Sequence, residues 1–138
     1  MSLYIAAAPL SLGILLGGMA FFSFLVAPKL FQTVPEDHAA RFVRAMFPTY
    51  YLFIAVFAAA AGVGLVAREP YMSKLMIAVA AVAVICRQIL TPAMNRASDA
   101  AKAGDGRAGK RFDRLHKLSV VLNFVMFGAG LTATVVHV

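Results

Sequence analysis

The chain has 138 residues, of which 62% are hydrophobic and only 14% are charged, and its mean hydropathy is +0.82. A soluble domain carries about 25% charged residues, so this composition excludes an ordinary soluble domain and indicates a single-domain membrane protein. Thirteen Lys and Arg against six Asp and Glu give a formal charge of +7. No nucleic-acid motif is present, so we assign these charges to basic segments facing anionic lipid and expect no nucleic-acid partner.

The first apolar segment, residues 3–26, carries no charge. As a helix it would be about 36 Å long, enough to cross a hydrocarbon core of about 30 Å. Gly13 and Gly17 form a GxxxG motif, which lets a second helix approach closely. No Lys or Arg precedes the segment, and the small residue Ala27 is followed by Pro28, so neither the basic start nor the cleavage site of a signal peptide is present. We therefore predict a retained transmembrane helix.

The segment at about residues 35–46 places apolar side chains at helical spacing opposite two arginines. This pattern is typical of a short amphipathic helix that lies in the membrane interface. Pro48 is expected to end this helix and to start the second span, at about residues 47–67. Tyr50 and Tyr51 stand at the start of the span, where tyrosines commonly anchor a helix among the lipid headgroups.

The second span contains a tract of small residues, 58–64, that is suited to close helix packing. The third span follows at about residues 74–95, and Pro92 is expected to kink this helix without ending it. The helix continues out of the membrane into a polar hairpin at about residues 96–115. The fourth span occupies about residues 116–136, so the spans are connected in an up-and-down order.

The basic residues indicate how the chain sits in the membrane. The segments after the first and third spans lie on one side, and the other side has only Arg68 and Lys74. Cytoplasmic loops carry the excess of Lys and Arg, so we expect the hairpin in the cytoplasm, both termini outside, and the chain in a bacterial inner membrane. The sequence thus predicts an all-α membrane bundle, a single domain over residues 1–138 with four transmembrane helices and a short interfacial amphipathic helix. The basic residues on the cytoplasmic side are Lys29, Arg41, Arg44, Arg96, Lys102, Arg107, Lys110, Arg111, Arg114 and Lys117.

Two polar stripes are predicted to meet in the cytoplasmic half of this bundle. On the fourth helix, His116, Ser119 and Asn123 are spaced i, i+3 and i+7 and share one face. On the third helix, Arg87, Thr91 and Asn95 are spaced i, i+4 and i+8 and also share a face. Polar side chains inside a membrane are costly unless they are paired, and they often mark a functional site. We predict a ligand-binding site whose members are Arg87, Asn95, His116, Ser119 and Asn123, with a purely structural role between the helices as the alternative.

Histidines add the hypothesis of a bound metal ion or haem. A neutral imidazole nitrogen binds zinc, copper or haem iron, and His116 is the main candidate. His38 lies on the same predicted side, beside Glu36 and Asp37, and would complete a zinc or copper site with His116, although the spacing does not itself bring the two together. Cys86 is the single cysteine, which excludes an intramolecular disulfide and a CxxC metal site.

Several stretches of the sequence resemble the small four-helix family related to transmembrane protein 205: FFSFLVAPKLF, RFVRAMFPTYY, and LTPAMNRASDAAKAGD with RFDRLHKLSVVLN. The most specific is the RF-x-RLH-x-x-SV-x-LN run from Arg111 to Asn123. This family's vertebrate member is associated with resistance to platinum drugs, and the family is distantly similar to copper-resistance protein D and HemJ-type membrane domains. The resemblance implies metal resistance or haem handling, with His116 as a ligand and Arg87 as partner of an acidic group such as a propionate. The chain lacks the facing pairs of histidines of a di-haem cytochrome.

Three classes of function follow from these observations. The preferred one is a small membrane protein that binds or transports a metal ion or a small anionic ligand at the polar site. The second is a haem- or porphyrin-binding membrane protein of the HemJ kind. The third is a structural subunit that forms a homo-oligomer or joins a larger membrane complex through its glycine and alanine faces. No nucleophile-elbow, zincin or dinucleotide-binding motif occurs, and we assign no catalytic residue.

Overall fold

The computed structural model describes residues 3–137, without the side chains of Tyr4 and Ile5. This part of the chain forms four long helices and contains no strand, each helix being long and apolar enough to cross a membrane. The predicted all-α bundle of four transmembrane helices is confirmed. Residues 1, 2 and 138 of the predicted domain lie outside the described residues. The helices are α1 (residues 3–33), α2 (Glu36–Leu65), α3 (Pro70–Lys102) and α4 (Gly106–His137).

The helices are longer than a bilayer requires. Helices α2, α3 and α4 have 30, 33 and 32 residues, so each is about 45–50 Å long, against about 30 Å for the hydrocarbon core. At one end of the bundle lie the C-terminal parts of α1 and α3 and the N-terminal parts of α2 and α4. We call this end, residues 29–46 and 95–117, the basic end, because it carries the ten Lys and Arg named above.

The structure corrects the prediction for residues 35–46. These residues are not a separate interfacial helix but the first turns of α2, which begins at Glu36 and passes through Pro48 to Leu65. A proline inside a helix removes one backbone donor and crowds the carbonyl one turn earlier. Helices in membranes tolerate this because neighbouring groups and local adjustments satisfy the freed backbone. The break expected at Pro48 therefore does not occur.

Tyr50 and Tyr51 are core residues rather than interfacial anchors. Their side chains are only 7% and 2% exposed. They continue the inward face of α2 that also carries Ile54 and Ala58, and the Tyr50 ring lies 4.7 Å from the ring of Phe22 in α1. The prediction of a headgroup anchor was wrong because the residues before them are helical, which makes Tyr50 and Tyr51 part of a long packed face.

In α1, a π-helical stretch at Phe21–Val26 precedes Pro28. The backbone N–H of Ala27 donates to the carbonyl of Phe22, five residues back instead of four. A proline ring clashes with the carbonyl one turn earlier, and a widened turn relieves that clash. Helix α1 therefore continues beyond the predicted end of the first span and reaches Thr33.

Helix α3 repeats this arrangement before Pro92. Its π-helical stretch is Cys86–Leu90, and the N–H of Thr91 donates to the carbonyl of Cys86. The perturbation expected at Pro92 takes this form, and the helix continues to Lys102. A π turn holds more residues than an α turn, so the faces of α3 before and after it are rotated relative to each other.

Small residues set the closest contacts of α2. The tract at residues 58–64 packs against both of its neighbours, as predicted. A Cβ atom on Gly64 would lie 3.0 Å from the backbone nitrogen of Ala8 in α1. On the other side, the hydroxyl of Ser73 in α3 donates to the carbonyl of Gly62 at 2.7 Å. These contacts hold α1, α2 and α3 together at the end of the bundle opposite the basic end.

The GxxxG motif of α1 does not take part in this packing. A Cβ atom on Gly13 or Gly17 would meet no atom of the described residues within 4 Å. Both glycines thus face outward from the bundle. The close helix approach predicted for the motif is not made inside this part of the chain.

A tight turn at residues 103–105 joins α3 to α4. Gly104 has a φ of 102°, a backbone conformation that favours glycine. The N–H of Asp105 donates to the carbonyl of Ala100 at 3.1 Å and closes α3. The carboxylate of Asp105 accepts the N–H of Arg107 at 3.0 Å and begins α4. One residue therefore ends one helix and starts the next.

An ion pair joins α2 to α3 at the basic end. The guanidinium of Arg44 donates to both carboxylate oxygens of Asp99, at 2.6 and 3.0 Å. These hydrogen bonds lower the pKa of Asp99 below its ordinary value. Both side chains are well exposed, so the pair is screened by salt and its contribution to stability is modest.

Gly64→Leu is expected to destabilise the bundle by about 1–3 kcal/mol, because the added side chain must displace the backbone of Ala8. Gly128→Leu is the matched control, since a Cβ at Gly128 meets no atom of the described residues within 4 Å. The measurement is unfolding of each purified variant in detergent, by heat and by added SDS, followed by circular dichroism. Equal stability of the two variants would contradict the packing of α1 on α2.

Asp99→Asn is expected to lower the melting temperature slightly near neutral pH and to have no effect in acid. The folded-state pKa of Asp99 lies below its unfolded value of about 3.9, so the pair stabilises the fold above that pH. Its contribution disappears as the pH falls through the lowered folded-state pKa. The check is the melting temperature of both proteins between neutral pH and about pH 2. Asp113→Asn, on the exposed start of α4, serves as control, and a difference that persists undiminished in acid would rule out this explanation.

Candidate functional site

Two adjoining cavities lie toward the basic end of the bundle. The apolar cavity, of about 240 Å³, lies among α1, α2 and α4 and is lined mostly by aromatic and aliphatic side chains. The basic cavity, of about 300 Å³, lies mainly among α2, α3 and α4 and carries most of the charged lining. The side chains that line both cavities are Phe31, Val43, Phe47 and His116.

Three of the predicted site residues, His116, Ser119 and Asn123, line the apolar cavity together. Their helical spacing places them on one face of α4, and that face turns toward α1 and α2. The hydroxyl of Ser119, which is only 3% exposed, donates to the backbone carbonyl of His116 at 2.7 Å. Ser119 therefore satisfies its hydroxyl within its own helix and presents little free polarity to the cavity.

Asn123 belongs to a hydrogen-bonded triangle that joins three helices. The hydroxyl of Tyr50 in α2 donates to Oδ1 of Asn123 at 2.6 Å. The Nδ2 group of Asn123 donates in turn to Oγ of Ser23 in α1 at 3.0 Å. The oxygens of Ser23 and Tyr50 lie 3.5 Å apart and complete the triangle. These polar groups satisfy one another, which is what a polar cluster at membrane depth requires.

The lining of the basic cavity is predominantly positive. Arg41 and Arg44 of α2 and Lys102 of α3 contribute cations, against a single carboxylate from Glu36 among the lining residues. Arg44 already holds Asp99 in the ion pair described above. Within the described part of the chain, Arg41 and Lys102 are the lining cations that form no ion pair.

Asn95 of α3 and His116 of α4 both line the basic cavity. Asn95 supplies amide donors and an acceptor. The imidazole of His116 is stacked on the ring of Phe112, with centroids 6.0 Å apart and planes at 11°. This stacking orients His116 at the boundary between the two cavities, where its ring nitrogens can hydrogen-bond to a ligand.

Arg87 is not brought to either cavity. Its Nε donates to the backbone carbonyl of Pro48 at 3.1 Å, and its Nη1 donates to the side chain of Gln88 at 3.2 Å. Arg87 lies in the π-helical stretch of α3, eight residues before Asn95 and therefore roughly 12 Å deeper along the helix axis than the basic cavity. The structure thus places Arg87 as a tie between α3 and α2, while the other four predicted residues line cavities.

The side chains present do not fit a metal centre. Nδ1 of His38 lies 3.4 Å from a guanidinium nitrogen of Arg41, and His38 lines neither cavity. Within residues 3–137, no three His, Cys, Asp or Glu side chains lie close enough together to hold a metal ion. His116 and His38 therefore stay separate hypotheses, with no shared set of ligands to support them.

The two cavities do not fit a haem either. A porphyrin needs an axial ligand and a large flat cavity, and pockets for drug-sized ligands already run to about 300–1,000 Å³. The cavities here are of about 240 and 300 Å³, and His116 is the one histidine among the residues that line them. We therefore derive no role for haem from this site.

Sequence reasoning missed several residues of the site. Ser23 carried a usable signal, because it is a lone hydroxyl within an otherwise apolar, Phe-rich segment of a span. Arg41 and Lys102 looked like ordinary basic residues of the membrane surface, and only the packing of α2 against α3 brings them to one cavity. Tyr50 carried no signal that separates a core hydroxyl from an interfacial one.

Comparison with known proteins gives one match: the model of a domain of unknown function, DUF4149, matches residues 10–103. Comparison with curated proteins and with solved structures gives no match. The matched segment includes most of α1, all of α2 and α3, and stops before α4. The resemblance to transmembrane protein 205 and to copper- or haem-handling domains stays a prediction. Since the match covers well over half of a chain with four membrane-length apolar helices, this integral membrane protein belongs to the DUF4149 family.

Proposed function

We propose that this membrane protein binds a small anionic ligand in the basic cavity. The observation that carries the proposal is the net positive lining of one cavity, with Arg41, Arg44 and Lys102 against Glu36. An anion placed there would accept charge-assisted hydrogen bonds, which are shorter and stronger than those between neutral groups. The amide of Asn95 and the imidazole of His116 would add donors from α3 and α4.

The apolar surroundings strengthen such binding. The basic cavity is continuous in its lining with the apolar cavity through Phe31, Val43 and Phe47. Charges at the edge of a low-dielectric region attract an anion more strongly than the same charges in open water. This arrangement favours a built anion site over a set of bases that merely touch lipid headgroups.

The position of the site in the cell is part of the proposal. We infer that the basic end faces the cytoplasm of a bacterial inner membrane, with both termini on the opposite side. Support comes from the distribution of Lys and Arg, of which ten lie at the basic end and two, Arg68 and Lys74, lie at the opposite end of the bundle. The ligand would then be bound from the cytoplasm or from the cytoplasmic leaflet, where anionic lipids surround the protein.

Lys102→Gln and His116→Ala are each expected to weaken anion binding by about 10–100-fold, because each removes a hydrogen-bonding partner of a charged ligand. The probe is radiolabelled inorganic phosphate, measured by equilibrium dialysis against protein in detergent at low salt. Circular dichroism of each variant checks that the bundle is intact.

Arg96→Gln and Arg87→Ala are the matched controls. Arg96 is an exposed base of α3 that lies outside the lining of both cavities, and Arg87 is tied to α2. Neither change is expected to alter phosphate binding. If Arg96→Gln reduces binding as much as Lys102→Gln, the attraction is a general effect of basic surface and the site proposal fails.

A second candidate function, that of a structural subunit, is favoured by the outward position of Gly13 and Gly17. In membranes, such small residues let two helices approach closely enough for their backbones to touch. The two glycines lie on α1 and are separate from both cavities. Self-association through this face is therefore compatible with ligand binding at the basic end.

Gly13→Leu combined with Gly17→Leu is expected to convert a homo-oligomer into a monomer, since leucines hold the two helices apart. The measurement is the mass of the protein in mild detergent by native gel and by light scattering. Gly128→Leu is the control, because a Cβ at Gly128 in α4 also meets no described atom within 4 Å. An oligomer that survives the double change would exclude the motif as its interface.

A further inference from the structure

We infer that the apolar cavity holds the hydrocarbon chain of a single-chain anionic amphiphile whose head lies in the basic cavity. This inference rests on the proposed function and narrows its ligand to a class: a long-chain carboxylate or phosphate taken from the membrane. The occupant is one chain with one anionic head, seated with the head toward the basic end.

The lining changes from apolar to basic at the level where such a ligand changes from hydrocarbon chain to anionic head. The apolar cavity is surrounded by rings and aliphatic groups, including Phe22, Val120 and Phe124. Among its polar members, Ser23, Tyr50 and Asn123 bond to one another and Ser119 bonds to its own backbone. With those groups already paired, the cavity suits a hydrocarbon chain better than a polar solute.

The basic cavity begins where the apolar one ends. Phe31 and Phe47 line both, and His116 stands at their boundary. A chain in the first cavity would direct its head past His116 toward Arg41 and Lys102. Those two cations select an anionic head over a neutral or a positively charged one.

An entrance for the chain lies between α1 and α4. Beyond Ala20, α1 contacts α4 through side chains, with Ser23 bonded to Asn123 and Phe24 packed on Phe124 and Phe127, while most of the close backbone contacts lie in Leu3–Ala20. At that level the side chains at the rim are half exposed, with Phe31 at 56%, Phe124 at 49% and Val120 at 41%. These apolar rim residues face the bilayer, so a lipid chain can enter sideways without crossing water.

Cavity size limits the ligand to one chain. The apolar cavity, at about 240 Å³, lies just below the range of about 300–1,000 Å³ that holds drug-sized ligands. A two-chain phospholipid would have to leave its second chain outside the bundle. A single-chain acid or phosphate has one chain to place, and the part of that chain beyond the cavity stays in the bilayer.

The test uses a long-chain fatty acid with a photoreactive diazirine in mid-chain, added to the full-length protein in phosphatidylcholine nanodiscs. After irradiation, the labelled positions are mapped by mass spectrometry. We expect labels concentrated on residues that line the apolar cavity, such as Phe22 and Phe124, and competition by unlabelled fatty acid. The matching photoreactive alcohol, which lacks the anionic head, is expected to label these positions much less.

Val120→Trp is expected to reduce this labelling about tenfold, because the indole overpacks the cavity. Val121→Trp is the matched control: the neighbouring residue is 57% exposed and lies outside the cavity lining. Lys102→Gln is expected to reduce labelling by the acid and to leave labelling by the alcohol unchanged. Labels spread evenly over the lipid-facing surface, or insensitive to Val120→Trp, would overturn the inference.

Failure of the inference can be told apart from failure of the proposed function. If phosphate binds and Lys102→Gln abolishes that binding, but the fatty acid neither labels the cavity nor competes with phosphate, the anion site stands and the chain site is refuted. If phosphate and fatty acid both fail to bind, both proposals are refuted. Labelling of the cavity with phosphate competing supports both.

Discussion

The hydrogen-bonded triangle of Tyr50, Asn123 and Ser23 is the constraint on which the basic half of the bundle depends. It joins α2, α4 and α1 at the level where the apolar cavity begins. Each interhelical hydrogen bond in a membrane protein contributes only about 0.6 kcal/mol on average, so the triangle matters less for total stability than for position. An unpaired member would be costly at this depth, which fixes the three helices in one arrangement.

The helices pack more closely on one side of this triangle than on the other. Away from the basic end, Gly64 against Ala8 and Gly62 against Ser73 bring backbones together and leave little space. Toward the basic end, the contacts between helices are made by larger side chains such as Phe31 and Phe47, and cavities remain between them. The π turns before the two prolines let α1 and α3 continue past residues that would otherwise bend or end them. The helices are therefore long enough to carry the cavities.

Hydrophobicity alone predicted the four helices, because runs of this length without charge have few other stable structures. The regular helical spacing of His116, Ser119 and Asn123 predicted that these side chains share one face of α4, and all three line the apolar cavity. The partner of Arg87 could not be predicted in the same way. Its Nε donates to the backbone carbonyl of Pro48 in α2, and backbone carbonyls freed within a helix leave no mark in a single sequence.

The other contacts that sequence analysis did not predict share one physical origin: the residues that contact each other are distant in sequence. Asn123 and Ser23 are separated by 100 positions, and Asn123 and Tyr50 by 73. A single sequence gives the character of each side chain but not the helix that will face it. For the same reason, Arg41 and Lys102 could be recognised as basic but not as members of one cavity. The prediction of a separate interfacial helix was wrong for a local reason, because α2 continues through Pro48 without a break.

The turn between α3 and α4 sets the level at which the two helices face each other. Asp105 uses its N–H to close α3 and its carboxylate to begin α4, and only residues 103–105 separate the two helices. Asn95 lies ten residues before Asp105 and His116 lies eleven residues after it. Because both helices rise by the same distance per residue, these two side chains reach the same height in the bundle and line one cavity. The length of the turn is therefore part of the construction of the site, since one added residue would offset the two side chains along the bundle.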